Sequence, residues 1–537
     1  MSASDRPPGD LPAESTGSTA PSGSPPPGFR GLASVASHNA VWAVAARIST
    51  VVVSIMLTPF VLHKLGRELY GIVVAVTSVF EYMSLIRGGV GGALRRYVTL
   101  YLHSGRLEAA RDFYAAGFWW SNILRVVILV VGIVLALPLC GFLRLSEAAR
   151  PDAAVGVGLV FLAAVIADQG NVFSIPIWAT GRTVWLSIVS AAGTWWRLGL
   201  TCLALSLFLP TLRVYGFALV VTQLVSVAAL MILAQRTRVV GPVLPRFQLG
   251  SPQLRRELFG YGGMALLSQA ASLLYVSTDN IFIGRLYGAT AVTHYSLGTR
   301  WAPLITGFLG ATLSGLMPLF TSLEARGEEA RSRAALVRVV AVTTALSVPA
   351  CLVPCVLGDL FLLRWVGPEY HDSYWYMLAM LAPAALDGAL SPVWMTLLAR
   401  GRIGWIATSD ILVAVGNVAI SLLLAQVFHL GLLGFALGNT IAILARNLLL
   451  RPLMGRKDPS MPSMRAGLSP LPWALLGAAP GLLLLWLARP LYGGSLAGVI
   501  GAGFMGGAIC LAGSLLAAVR VTELRRLYRL LPGARRA

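Results

Sequence analysis

The sequence predicts an all-α polytopic membrane protein: two parallel six-helix lobes followed by two extra helices. Three observations carry that prediction. First, hydrophobic residues make up 56% of the 537 positions and charged residues only 12%, against roughly 25% charged in a soluble domain. Mean hydropathy is +0.75. Second, apolar runs near the roughly 20 residues that cross a 30 Å hydrocarbon core recur about fourteen times. Third, the chain repeats itself. Ala179-Thr-Gly-Arg-Thr-Val-Trp185 returns 220 residues later as Ala399-Arg-Gly-Arg-Ile-Gly-Trp405. Gly216-Phe-Ala-Leu219 returns as Gly434-Phe-Ala-Leu437, and the polar hairpin Gly105-Arg-Leu-Glu108 as Gly327-Glu-Glu-Ala330. Echoes in one order at nearly one spacing indicate a duplicated membrane unit.

Each segment follows from that frame. Residues 1–35 begin rich in Pro, Ser and Gly with no apolar run, which predicts a disordered tail and no signal peptide. Spans one to six fill 36–235, a linker runs over 236–256, and spans seven to twelve fill 257–451. A loop covers 452–469, two further spans fill 470–519, and a basic tail covers 520–537. The second and eighth spans (69–101 and 290–320) are long enough to be broken. Both Gly-Arg phrases fall in turns on the same side, before spans five and eleven. Six spans therefore repeat with one orientation, about an axis along the membrane normal.

Loop charge sets that orientation. One set of loops carries Arg95, Arg96, Arg106, Arg182, Arg236, Arg238, Arg326, Arg400 and Arg451. The alternate loops hold few basic residues, among them Lys64 and Arg67. The rule that basic loops stay inside predicts cytoplasmic termini in a bacterial inner membrane. The net charge of +20 is then loop charge that fixes topology, and no nucleic-acid partner is expected. Arg520–Arg529 reads either as a basic amphipathic helix on the membrane surface or as a solvated tail. All five cysteines lie in apolar stretches and the six histidines are scattered. No disulfide framework, metal or cofactor is expected. Every loop on the outer side is short, which argues against an enzyme.

Charge inside the spans needs a reason, because each such residue costs about 2.5–3.5 kcal/mol at a helix centre. Arg47 lies within span one, Glu81 and Arg87 within span two, Asp168 within four, Arg197 within five, Arg300 within eight and Asp387 within ten. Asp279 and Asp410 sit nearer span ends. Arg87 precedes Gly88-Gly-Val-Gly-Gly92 and then Arg95-Arg96. One reading is ion pairing inside the bundle, for example Glu81 with Arg47. The other is a wet cationic cavity, because the core arginines outnumber the mid-span acids. Excess buried positive charge attracts an anion, and the planar guanidinium fork suits phosphate.

Four stretches resemble the multidrug/oligosaccharidyl-lipid/polysaccharide (MOP) exporter superfamily, in particular its polysaccharide lipid-carrier flippases. They are Lys64-Leu-Gly-Arg-Glu-Leu-Tyr-Gly71, Gly89-Val-Gly-Gly-Ala-Leu-Arg-Arg96, Gly105-Arg-Leu-Glu-Ala-Ala110 and Leu363-Arg-Trp-Val-Gly-Pro-Glu-Tyr370. The resemblance covers 36–451. It implies the MATE-like fold and a flippase for a polyprenyl-diphosphate-linked oligosaccharide in surface polysaccharide biosynthesis, working by alternating access. It further implies diphosphate binding by Arg47, Arg87, Arg95 and Arg300, with Glu81, Asp168 and Asp387 serving ion coupling or structural pairing. The expected partners are the lipid-linked oligosaccharide, the bilayer and other polysaccharide-assembly membrane proteins. The chain departs from the family at Arg87, where an acidic residue is common, which sets family-wide ion coupling in question here. The two extra spans resemble those of fourteen-span members such as lipid II flippases, as a groove for the lipid tail or as support for the second lobe. The alternatives are a cation-coupled multidrug antiporter and a membrane glycan polymerase or ligase.

Overall fold

The computed structural model describes residues 29–145, 150–260, 277–314, 320, 328–399, 403–455 and 467–530. Its described residues are helices joined by short turns. The first lobe comprises α1 (Phe29–His103), α2 (Leu107–Phe142), α3 (Arg150–Ala179), α4 (Thr183–Leu207) and α5 (Leu212–Thr237). The second comprises α6 (Thr278–Tyr287), α7 (Ala289–Thr299), α8 (Trp301–Ser314), α9 (Glu329–Trp365), α10 (Ser373–Ala399), α11 (Ile403–Leu422) and α12 (Gly431–Ala445). After the short α13 (Arg451–Gly455) come α14 (Leu471–Leu487), α15 (Arg489–Tyr492) and α16 (Leu496–Leu530).

Ten of the described helices are long and apolar enough to cross a membrane. Four features separate that count from the expected fourteen. Spans one and two run together as α1, folded back only at Gly66, whose φ of 79° suits glycine. Span seven lies mostly at 261–276, outside the described residues. Span eight is broken at Arg300, because Pro303 has no N–H to give the Thr299 carbonyl. Span thirteen, α14, has only 17 residues. The second span is unbroken: its glycine-rich stretch stays helical.

The duplication is visible in helix order. Gly216 and Gly434 both fall within the first two turns of α5 and α12. α2 begins two residues after Gly105 and α9 two residues after Gly327. Gly181 turns the chain between α3 and α4 at φ 72°; the second Gly-Arg phrase lies outside the described residues except for its ends. One apolar core spans both lobes, joining Phe161 and Leu212 of the first to Val292 and Phe435 of the second. Phe161, Leu205 and Leu212 are fully buried in the first, and Phe320, Leu390 and Trp394 in the second. Valines and leucines such as Val126, Val130, Val134 and Leu207 point outward, where lipid tails accept them at no cost.

The lobes meet along α1 on the far side of its kink. Thr293 Oγ1 donates to the Arg67 carbonyl at 2.5 Å, and Asn280 donates to Ser78 at 3.0 Å. Tyr82 bonds Thr278, and Ser277 bonds Glu81. Gly71 packs against the Ala289 carbonyl so closely that any side chain there would displace the backbone. The extra helices pack on the second lobe. Leu485, Val499 and Ala502 enclose Leu357 of α9, and Gly477 meets Gly513 backbone to backbone. α16 continues past residue 519 to Leu530 as one helix.

Candidate functional site

A cavity of about 410 Å³ lies between the lobes. From the first lobe it is lined by Arg47, Thr58 and Tyr70 of α1 and Arg197 of α4; from the second by Arg300 and Asp279. Positions 47, 54 and 58 lie on one face of α1 at helical spacing. The fold-back at Gly66 brings Tyr70 to the same wall. Arg300 reaches the wall because the break between α7 and α8 lies at its own position.

Three guanidinium groups thus converge on one space, and they differ in how they are held. Arg300 Nη1 donates to Thr58 Oγ1 at 2.8 Å and Nη2 to the Tyr70 hydroxyl at 2.5 Å. Its Nε donates to the Ser296 carbonyl at 3.3 Å. The group also lies 5.8 Å from the Trp365 ring centroid. Arg300 therefore ties the second lobe to the first through neutral partners only. Arg47 and Arg197 are half-buried, and the Nε of each is fully buried with no hydrogen-bond partner. An unsatisfied buried donor on a charged group costs more than the 1–3 kcal/mol of a neutral one. Gly307 of α8 leaves the room that the Arg47 guanidinium occupies.

The cavity also exposes the edge of a buried polar network. Asp279 is 2% exposed and accepts from Tyr295 and from Asn439, both at 2.5 Å. Asn417 donates to Asn439 at 2.8 Å. The sequence places Asp279 near a span end. Asp279 lies in the first turn of α6, with its side chain buried. The signal available in sequence was the pair of asparagines, Asn417 and Asn439, within spans eleven and twelve.

The other expected residues are placed elsewhere. Arg95 is exposed on α1, its guanidinium 5.3 Å from the Trp178 ring centroid, outside the cavity. The Arg87 side chain lies outside the described residues. The Glu81–Arg47 pair is not formed: Arg47 has no partner among the described residues, and Glu81 accepts from Ser277. Asp168 is buried against Arg125, with Nε to Oδ2 at 3.0 Å and both side chains 5% exposed. Asp387 accepts from Arg446 at 2.5 Å and from Asn447 at 3.0 Å. Asp410 accepts from Arg451 at 2.9 Å. Arg125, Arg446 and Arg451 are the partners that sequence reasoning missed. Their acids lie on other helices, so no spacing along the chain announces the pairs. Among the described residues no cluster of His, Cys, Asp and Glu could hold a metal ion.

Comparison with known proteins agrees with this architecture. Residues 65–374 match the family model described as "Polysaccharide biosynthesis protein". An uncharacterised membrane protein of Bacillus subtilis (strain 168), EpsK, is 24% identical over 427 residues, covering 76% of this chain and 81% of its own. Among solved structures, an inward-facing multidrug resistance transporter of the MATE family and MOP superfamily superposes with a TM-score of 0.65 at 14% identity. That match covers 80% of this chain and 94% of the other. The lipid II flippase MurJ, in an inward closed conformation, superposes at 0.63 with 11% identity, covering 92% and 100%. The chain is therefore a multi-pass membrane protein of the polysaccharide biosynthesis family, built on the two-lobed fold of the MOP-superfamily transporters.

Proposed function

We propose that this protein flips a polyprenyl-diphosphate-linked oligosaccharide across the bacterial cytoplasmic membrane for surface polysaccharide biosynthesis, by alternating access of its two lobes. The observation that carries the reading is the set of three guanidinium groups, Arg47, Arg197 and Arg300, lining one cavity with no carboxylate bonded to any of them among the described residues. A diphosphate supplies several acceptor oxygens and the negative charge that balances three guanidinium groups set against one carboxyl. Charge-assisted bonds to guanidinium are about twice as strong as neutral ones. The sugars would occupy the polar part of the cavity and the lipid chain the bilayer beside it.

Arg300 gives the cycle a coupling element. In the observed state it is spent on Thr58 and Tyr70 across the lobe boundary. A diphosphate that takes over these donors releases a link between the lobes, so binding favours the rearrangement that opens the opposite side. Only differential binding of this kind can shift such an equilibrium. Arg87 and Arg95 of the expected set stand outside this assignment, Arg95 because it lies exposed against Trp178. Both termini would face the cytoplasm, following the arginine-rich loops. One observation favours the antiporter reading: Asp279, a carboxyl group at the cavity edge with neutral partners. Three guanidinium groups against one carboxyl weigh toward an anionic substrate.

The test is a deletion strain complemented with Arg47→Ala, Arg197→Ala and Arg300→Ala chains. Surface polysaccharide should fall while protein abundance in the membrane holds, with lipid-linked oligosaccharide accumulating on the cytoplasmic leaflet. Normal export from the triple variant would remove the assignment. Lipid-linked units that reach the outer face but stay unpolymerised would favour a polymerase instead.

A further inference from the structure

At the end of the first lobe that carries the arginine-rich loops, a second cavity of about 540 Å³ opens on the outer flank. It shares no residue with the cavity between the lobes. Its floor is apolar: Met231 and Ile232 of α5 on one side, Pro242, Val243 and Leu244 of the linker on the other. Its rim is cationic, with Arg236 and Arg238. Among the described residues neither guanidinium has a hydrogen-bond or ion-pair partner, and both side chains are exposed.

The linker that forms the outer wall is held in place. Arg238 closes α5 in the left-handed region, at φ 54°, and Gly241 follows at φ 72°. The chain thereby doubles back along the helix it has just left. Gln235 accepts from the Val243 amide at 2.9 Å, and Trp119 Nε1 donates to the carbonyls of Pro245 and Arg246 at 3.2 and 3.0 Å. Trp120 Nε1 donates to the Leu249 carbonyl at 3.2 Å. These two tryptophans of α2 pin the linker to the first lobe. The linker turns Leu244 and Phe247 outward, 61% and 66% exposed, and large apolar side chains exposed together mark an interaction surface. A third guanidinium, Arg111, lies beside Gly241, and the nearby Asp112 takes Gln248.

We propose that this cavity binds an anionic phospholipid of the surrounding bilayer. The phosphate sits between Arg236 and Arg238, and one acyl chain lies over Met231, Ile232 and Leu244. An apolar floor under a two-arginine rim matches that molecule at both ends, whereas a free phosphate ion would leave the floor empty. The bound lipid fastens the linker, and so the junction between the lobes, to the membrane surface. This inference stands independently of the proposed cargo.

Native mass spectrometry of the full-length protein tests it, with dioleoylphosphatidylglycerol and dioleoylphosphatidylcholine as probes. Each basic residue near an anionic headgroup contributes about 1 kcal/mol, roughly fivefold in affinity. The first phosphatidylglycerol should bind at least about tenfold tighter than phosphatidylcholine, and R236Q/R238Q should abolish the difference. Leu244→Gln should weaken both lipids alike. All three substituted side chains are exposed, and the thermal transition in phosphatidylcholine should match the wild type. Phosphatidylglycerol preference retained within twofold in R236Q/R238Q would overturn the proposal. So would displacement of the lipid by inorganic phosphate at millimolar concentration, which would indicate a bare anion site.

Discussion

Arginines occupy the apolar interior of this protein in two ways, and the contrast between them is informative. Arg125, Arg446 and Arg451, inside the lobes, each meet a carboxylate: Asp168, Asp387 and Asp410. Arg47, Arg197 and Arg300, between the lobes, meet no carboxylate among the described residues. The residue type and the apolar surroundings are the same, but the chemistry differs. A paired arginine has spent its charge on holding helices together. Under the proposed function, an arginine without a carboxylate keeps its charge for an anionic ligand, at a desolvation cost to the free protein. The location of each set fits the proposed function: rigid lobes need internal ties, and alternating access would change the space between them.

The largest expected effect comes from breaking a tie. Arg125→Ala leaves the carboxylate of Asp168 buried without its main partner, a loss of about 3–5 kcal/mol. The thermal transition of the purified protein should drop sharply, and membrane abundance with it. The cavity set should behave in the opposite way. Arg47→Ala removes an unsatisfied donor, so stability should hold or rise slightly. Export should fall about tenfold or more, as expected when a charge-assisted bond of about 1.5–3 kcal/mol is lost. If Arg47→Ala destabilised the fold as strongly as Arg125→Ala, the two sets would not be distinct.

Smaller changes sharpen the comparison. Tyr70→Phe removes the hydroxyl that accepts from Arg300, a neutral partner worth about 1 kcal/mol. The link between the lobes weakens while the charge stays, so the inward- and outward-facing populations, read by spin-label distances, should shift several-fold. Arg95→Ala removes only a guanidinium–indole contact of about 0.5–1 kcal/mol at an exposed site. Export should stay within about twofold of wild type. The smallest effect is at the turn before α10. There burial pushes the Asp372 carboxyl up, but the hydrogen bond and charge of His294, with help from Tyr376, outweigh it and hold its pKa below the usual carboxylate value. A depressed folded pKa stabilises above the ordinary carboxylate pKa of about 3.9 and loses that contribution as pH falls through the lowered value. Asp372→Asn should therefore lose that small contribution near neutrality and flatten the acid limb of the stability curve, the two curves converging as pH falls below the lowered value.

The frame was legible in the sequence because hydropathy and repetition act along the chain. Lobe order, the helix starts after Gly105 and Gly181, and the mid-span position of Arg47 and Arg300 all followed from spacing. The break at Arg300 was foreshadowed by span length, and Pro303 supplies its cause. What was not legible depends on contacts across helices. Nothing local says that Asp168 meets Arg125, that Arg95 turns away onto Trp178, or that Arg197 joins Arg47 and Arg300. Counting core charges overestimated the free arginines in one respect and missed residues in another, since Arg125 and Arg446 each bring an acid with them. The partners of Asp279, Tyr295 and Asn439, lie on other helices and were equally hidden along the chain.

The central claim is that the arginines between the lobes hold a diphosphate and those inside the lobes do not. Binding of a polyprenyl diphosphate to the purified full-length protein, measured by isothermal titration calorimetry, tests it most directly. The account predicts that R47A/R197A/R300A loses at least about a hundredfold in affinity, equivalent to roughly 3 kcal/mol, with its thermal transition intact. An affinity unchanged in that variant would contradict it.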